Sequence, residues 1–184
     1  MKVLLTGSSK GIGHKIAEDL LAEGHELALH YNKNESPLKA LLKKDKTGSF
    51  SIQADLSQQD EIKKMVINTI DKLSFPDCII NNAGIAESAD ISIDIDNWSK
   101  MFDKTIDVNL KAPSIIFKEF LKYKREKKIN SRLRIINIAS RAAFRGEQQD
   151  YISYACSKGG IISLTKTMSR SFGESDNIVA MSIA

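Results

Sequence analysis

The chain has 184 residues, 42% of them hydrophobic and 27% charged, with a formal net charge of +4. That length suits one domain with a real core, and the balance is that of a soluble globular protein rather than a disordered one. Mild basicity fits a nucleic-acid partner or an ordinary surface with a site for a phosphorylated ligand. The lysines are dispersed except at KKDK (43–46) and KYKREKK (122–128). The second run follows an apolar helical pattern and reads as the solvated C-terminal end of a helix, so no nucleic-acid partner is expected. Cys78 and Cys156 form no redox or zinc signature, and no metal site is expected. MKVLLTGSSKG turns polar too soon for a secretory signal, and no apolar run approaches membrane-spanning length. A cytoplasmic protein with no membrane partner is the expectation.

KVLLTG, at the start, is a short apolar run ending in glycine, a buried-strand pattern. GIGHKIAEDLLAEGH follows as a helix, with Ile16, Ala17, Leu20 and Leu21 on one side and Gly24 as its stop. ELALHY is a second strand. SPLKALLKK is a short helix with Ser36 as N-cap and Pro37 at its first position. FSIQAD is a third strand, and SQQDEIKKMVINTIDKL a helix with an apolar stripe at 62, 65, 66, 70 and 73 and Ser57 as its cap. DCIINNAG is a fourth strand running into a polar turn. WSKMFDKTIDVNLKAPSIIFKEFLKYKR is helical, with Pro113 a kink or a break. LRIINIAS is a fifth strand, SYACSKGGIISLTKTMSRSF a long helix and NIVAMSIA a sixth strand. Strands and helices alternate, and the strands are continuous apolar runs. This predicts an α/β fold: one doubly wound Rossmann domain over residues 1–184, a parallel sheet of six strands flanked by helices on both faces.

Two local patterns bear on chemistry. The first strand runs straight into TGSSKGIG (6–13) and a helix, with glycines at 7, 11 and 13. Glycine serves where a backbone turns sharply or must approach a ligand, and a helix N-terminus offers free N–H groups to a phosphate. The spacing is G-x-x-x-G-x-G, and the strand–turn–helix context favours phosphate binding over a plain tight turn. The second strand ends in HYNKN, where an NAD-selective site usually carries an acid for the ribose 2′-hydroxyl. No acid is present. Lys33 lies there and Lys10 lies in the glycine turn, two cations suited to a 2′-phosphate, so NADP(H) is expected in preference to NAD(H). The other pattern is Tyr154 with Lys158 four residues on, in YISYACSKGG. Taken alone, such a pair is an ordinary solvated neighbour pair on a helix.

TGSSKGIG, Ala54–Asp55, NNAG at 81–84, Asn109, Ser140 and YACSK occur in one order along the chain. Together they closely resemble the short-chain dehydrogenase/reductase family, with similarity to 3-oxoacyl-acyl-carrier-protein reductase-like enzymes. The resemblance implies an oxidoreductase that moves a hydride between nicotinamide and a carbonyl or alcohol, with a small-molecule substrate and a homo-oligomeric assembly. It implies Tyr154 as acid/base, Lys158 as its partner and holder of the nicotinamide ribose, and Ser140 as hydrogen-bond donor to the substrate oxygen. Asn109 would extend a proton relay through water. A free phenol titrates near ~10, and a neighbouring ammonium favours the phenolate, which is a physical reason for the pair. Cofactor contacts are implied at Gly7, Ser9, Lys10, Gly11, Ile12, Gly13, Asn32, Lys33, Asp55, Leu56, Asn82, Ala83 and Gly84, besides Tyr154 and Lys158. Asp55 would hold the adenine amino group, or cap a loop. Asn81 reads as a tie between strands, and Tyr151, with no lysine four residues on, as pocket wall or structure.

Two departures from the family pattern are expected to matter. The span from Ser140 to Tyr154 is one residue longer than in many members, with GEQQDY absorbing it as a loop. The sequence also stops at NIVAMSIA, where the family usually continues with Pro-Gly, a substrate lid and a further strand. The sixth strand is then expected to form an edge with apolar surface exposed beside it, which invites association. The helices at 112–125 and 153–172 resemble those that pair subunits in the family. A truncated member that binds nucleotide with little or no turnover is the alternative to an active enzyme.

Overall fold

The computed structural model describes all of residues 1–184. Strands β1 (Lys2–Leu5), β2 (Glu26–Tyr31), β3 (Phe50–Gln53), β4 (Cys78–Asn81), β5 (Leu133–Ile138) and β6 (Ile178–Ile183) form one sheet in the order β3-β2-β1-β4-β5-β6. Every neighbouring pair is parallel. The helices are α1 (Gly11–Ala22), α2 (Ser36–Leu42), α3 (Gln59–Leu73), α4 (Ile95–Ile106), α5 (Ala112–Glu126), α6 (Ala142–Arg145) and α7 (Ile152–Phe172).

Alternate strand residues feed two cores, as the two-residue period of a strand dictates. Leu4, Ala28, Ile79 and Ile135 face one side and pack with Ile62, Met65 and Val66 of α3, Ile116 and Phe120 of α5 and Met168 of α7. Val3, Leu5, Leu27, Leu29 and Ile80 face the other and pack with Ala17 of α1 and Leu38 of α2. Burying both faces is why β1, β2 and β4 read as unbroken apolar runs. At β6 the structure shows the edge strand with exposed apolar residues that the sequence led us to expect. Val179, Met181 and Ile183 are exposed while Ile178 is buried, so this edge strand is covered on one face only.

Other departures are local. Ser36 already lies inside α2, whose N-cap is Glu35; the Ser36 N–H is held by Asn34 Oδ1, so the helix starts one residue earlier than Pro37 suggests. Ser57 does not cap α3, because its hydroxyl turns back to Asp55 Oδ1 at 2.8 Å and Gln58 takes the cap position. Pro113 does not break the helical path. A π-helical turn over Asp107–Lys111 joins α4 to α5, and the proline falls in the first turn of α5, where its missing N–H is tolerated. GEQQDY becomes an open stretch at 146–148 and a 3₁₀ turn at Gln149–Tyr151, and α6 ahead of it had no signal in the hydrophobic pattern.

Candidate active site

β1 and β4 are neighbours in the sheet but not in the chain, so the crevice at their carboxyl ends is where an open α/β sheet receives ligands. The turn after β1 and the segment 82–84 after β4 meet there. Gly7 has φ +68°, and a Cβ on it would stand 2.8 Å from Ala83 Cα. Gly13 is packed more tightly, for a Cβ there would stand 2.2 Å from Gly7 O and 2.4 Å from Asn82 Nδ2. Asn82 Nδ2 donates to Thr6 O (2.9 Å) and Gly7 O (3.1 Å), while Thr6 Oγ1 accepts from the N–H groups of Asn82 (3.0 Å) and Ala83 (3.1 Å). The turn is thus locked onto the β4 side. No side chain caps α1, which leaves its first N–H groups for a ligand. A backbone-lined cradle at a helix N-terminus suits the phosphates of a dinucleotide.

Around this cradle the structure disposes the residues singled out in the sequence unevenly. Ser9 is half-buried, and Lys10, Gly11, Ile12, Asn32 and Lys33 are exposed. Leu56 is 5% exposed with its side chain in the core, so that side chain is not available to a cofactor. Asp55 closes its own loop: Oδ1 accepts from the Ser57 N–H (2.9 Å) and hydroxyl (2.8 Å), and its N–H donates to Glu61 Oε2 (2.6 Å). Both side-chain bonds fall on Oδ1. Asn81 ties strands, as its Nδ2 donates to Asn137 Oδ1 (2.8 Å) opposite it in the β4–β5 register.

The second group gathers beside the carboxyl ends of β4 and β5. Lys158 is buried on α7, and its Nζ donates to Ile138 O at 2.8 Å and lies 5.6 Å from the Tyr154 ring centre. Burial without a carboxylate partner pushes this ammonium down to about 8. Gly84 lets the site close up: a Cβ there would stand 3.3 Å from Asn109 Oδ1 and 3.6 Å from Lys158 Nζ. The Asn109 amide is fully committed. Its Oδ1 accepts from Ile85 N–H (2.8 Å), and its Nδ2 donates to Ile85 O (2.8 Å) and Ser157 Oγ (3.0 Å). Ser140 follows β5, and its Oγ accepts from the Ala142 N–H (3.2 Å) at the start of α6. Tyr151 is half-buried in the 3₁₀ turn.

Three residues that sequence reasoning passed over join these sites. Thr6 anchors the segment 82–83. Ser157, buried next to Lys158, holds Asn109 and donates to Tyr154 O (2.7 Å). His30 bonds the Gly7 N–H. A clue for two of them was their place inside quoted motifs, Thr6 in TGSSKGIG and Ser157 in YACSK. His30 left a fainter one, a polar residue inside the apolar run ELALHY.

The short chain dehydrogenase family model matches residues 1–184. Among curated proteins, the chain is 32% identical over 170 residues to the 3-oxoacyl-[acyl-carrier-protein] reductase FabG of Staphylococcus epidermidis, covering 91% of this chain and 67% of that protein. The chain therefore spans about two thirds of that relative's length. Among solved structures, a 4-hydroxyisoleucine dehydrogenase complexed with NADH and succinate superposes with a TM-score of 0.86 at 33% identity, covering 99% of this chain and 74% of the other. A blue fluorescent protein from a metagenomic library, in complex with NADPH, gives 0.82 at 26% identity, covering 98% and 72%. With its sheet order, its glycine cradle and the match along its whole length, this chain belongs to the short-chain dehydrogenase family.

Proposed function

We propose that this protein is an NADP(H)-dependent oxidoreductase acting on a small carbonyl or alcohol, with Tyr154 as its acid/base. The observation that carries this reading is the convergence of Tyr154, a buried Lys158 and Asn109 beside Gly84, at the edge of the crevice that holds the glycine cradle. The cradle fits a dinucleotide because its interlocked glycines bring backbone, not side chains, to the ligand. Gly7 to Gly13 and the N-terminus of α1 would take the phosphates. Exposed Lys10 and Lys33 would face a ribose 2′-phosphate, which is why NADP(H) is preferred and NAD(H) remains a usable cofactor. Asp55, through Oδ2, would accept from the adenine, with Ala83 and Gly84 beside the ribose.

When bound, nicotinamide supplies or takes the hydride. In the reducing direction the Tyr154 hydroxyl gives its proton to the substrate oxygen, and in the oxidising direction it takes that proton back. The Ser140 hydroxyl donates to the same oxygen, since its accepted bond from Ala142 leaves its own O–H free. Lys158 keeps a cation beside the phenol and offers its remaining N–H groups to the nicotinamide ribose. Any relay role of Asn109 falls to its backbone carbonyl, because its amide is engaged. The resemblance of the helices at 112–125 and 153–172 to family subunit contacts supports a homo-oligomer, which sedimentation of the purified protein tests.

The experiment is a titration with NADPH and NADH followed by NADPH-dependent reduction of a carbonyl panel. Tighter NADPH binding with turnover that vanishes in Tyr154→Phe is the expected result. Binding without turnover would make the chain a nucleotide-binding member of its family, and no binding of either cofactor would overturn the reading.

A further inference from the structure

His30 is the penultimate residue of β2, 3% exposed, and β2 runs between β1 and β3 in the sheet. Its position therefore lies between the glycine turn that leaves β1 and the loop with Asp55 that leaves β3. The imidazole spans that gap. Nδ1 accepts from the Gly7 N–H at 3.0 Å, and Nε2 lies 2.9 Å from Ala54 O. The backbone carbonyl of His30 adds two bonds on the same side, from the Ser8 N–H (2.9 Å) and the Ser8 hydroxyl (2.8 Å).

These partners leave one protonation state. A backbone N–H can only donate, so Nδ1 must be bare; a carbonyl can only accept, so Nε2 must carry the hydrogen. Burial agrees, pushing the imidazole down to about 4 against the smaller opposing pulls of the Ala54 carbonyl and the Asp55 carboxylate. An aliphatic residue would fill this strand position without desolvating a polar ring. It would also strip Gly7 and Ala54 of these bonds, and unmet backbone groups of this kind cost stability where water is scarce.

We propose that His30 is a positioning residue of the dinucleotide site, a neutral imidazole strap that fixes the glycine turn at Gly7 against the Ala54–Asp55 loop. The inference rests on the cofactor reading above: the two loops it joins are those assigned to the phosphates and to the adenine, and a dinucleotide must reach both at once. His30 touches neither ligand part. It sets their separation.

The test compares wild type with His30→Leu, which removes both imidazole bonds, and His30→Asn, whose Oδ1 can replace Nδ1 at Gly7 but stops short of Ala54. Each folded protein is titrated with NADPH, melted without cofactor, and followed by hydrogen exchange of the cofactor-free segment 1–10. In His30→Leu we expect NADPH affinity to fall about tenfold, the loss that one or two buried hydrogen bonds produce, with faster exchange across the glycine turn. In His30→Asn the exchange protection should return and part of the affinity with it. Wild-type affinity in His30→Leu, or equal losses in both variants, would overturn the strap. Should His30→Leu not fold, His30→Asn against wild type decides: retained protection supports the strap, and lost protection at unchanged affinity overturns it. A wild-type protein that binds neither NADPH nor NADH would overturn the cofactor reading itself, and the strap with it.

Discussion

The two ends of the crevice are built differently. At the nucleotide end the side chains that shape the glycine turn are spoken for: Asn82 holds two turn carbonyls, Thr6 Oγ1 accepts two backbone N–H groups, and His30 ties Gly7 to Ala54. At the proposed catalytic end the groups assigned to the reaction are more loosely held. Lys158 is anchored by one carbonyl, the Ser140 hydroxyl only accepts, and the Tyr154 bond within the protein runs through its backbone carbonyl. The difference follows from what each end must do. A cradle binds by presenting backbone in one fixed shape, so its side chains are used up in holding that shape. An acid/base group must leave its functional atom uncommitted until a substrate arrives.

The contrast breaks most visibly at Tyr154. Tyr154→Phe deletes only the free hydroxyl, so kcat should fall about 10²–10⁴-fold, the usual worth of a positioned acid/base, while NADPH affinity stays within about twofold. Single-turnover absorbance and a parallel titration check this, and an equal loss in both would mean that the two ends are not separable. At the braced end the next largest effect is on stability. His30 binds its proton near 4 when folded and near 6.5 when unfolded, so the unfolded chain takes up the proton first as pH falls. Its contribution is complete above about 6.5 and is lost down to about 4, roughly 3 kcal/mol in all. Urea unfolding of wild type and His30→Asn across pH 7.5 to 4 should converge by about that amount, and parallel curves would contradict it. Gly13→Ala is expected to cost about 1–3 kcal/mol by overpacking against Gly7 O and Asn82 Nδ2, with cofactor binding lost alongside. For stability alone, Gly11→Ala, where no protein atom lies within 4 Å of the added carbon, is the matched control, carrying only the strain of its φ of +56°.

How much of this was legible in the sequence also divides along the two ends. Six parallel strands followed from continuous apolar runs separated by helical periods, and β2 and β5 were bounded within a residue or two from ELALHY and LRIINIAS. The half-exposed face of β6 was expected from the family comparison and not from the strand itself, since an apolar run such as IVAMSI does not reveal whether anything lies on its second face. The motif residues were visible because family resemblance marks them one by one. Their supports were not. Asn109 stood out as a motif residue, yet its ties to Ile85 and Ser157 depend on a π-helical turn that no hydrophobic period encodes. His30 looked like one more residue of a strand, because its two partners are backbone groups 23 and 24 residues away, which no side-chain pattern announces.

The smallest expected effect sharpens the comparison from the catalytic side. Lys158 has no carboxylate to hold its charge, so desolvation wins and its ammonium titrates near 8. The charged form, present below that pH, is the one that can stand beside the phenol as the proton leaves it. The profile of kcat/KM reports groups of the free enzyme, so reduction should lose about fourfold between pH 7 and 8.5, following the protonated fraction of a single group near 8. NADPH affinity over the same interval depends mainly on the cradle, whose donors are backbone N–H groups that do not titrate, and should change less. A flat kcat/KM profile through pH 8 would mean that a bound cofactor or a mobile side chain keeps Lys158 charged, and that the loose end is less sensitive to burial than its geometry requires.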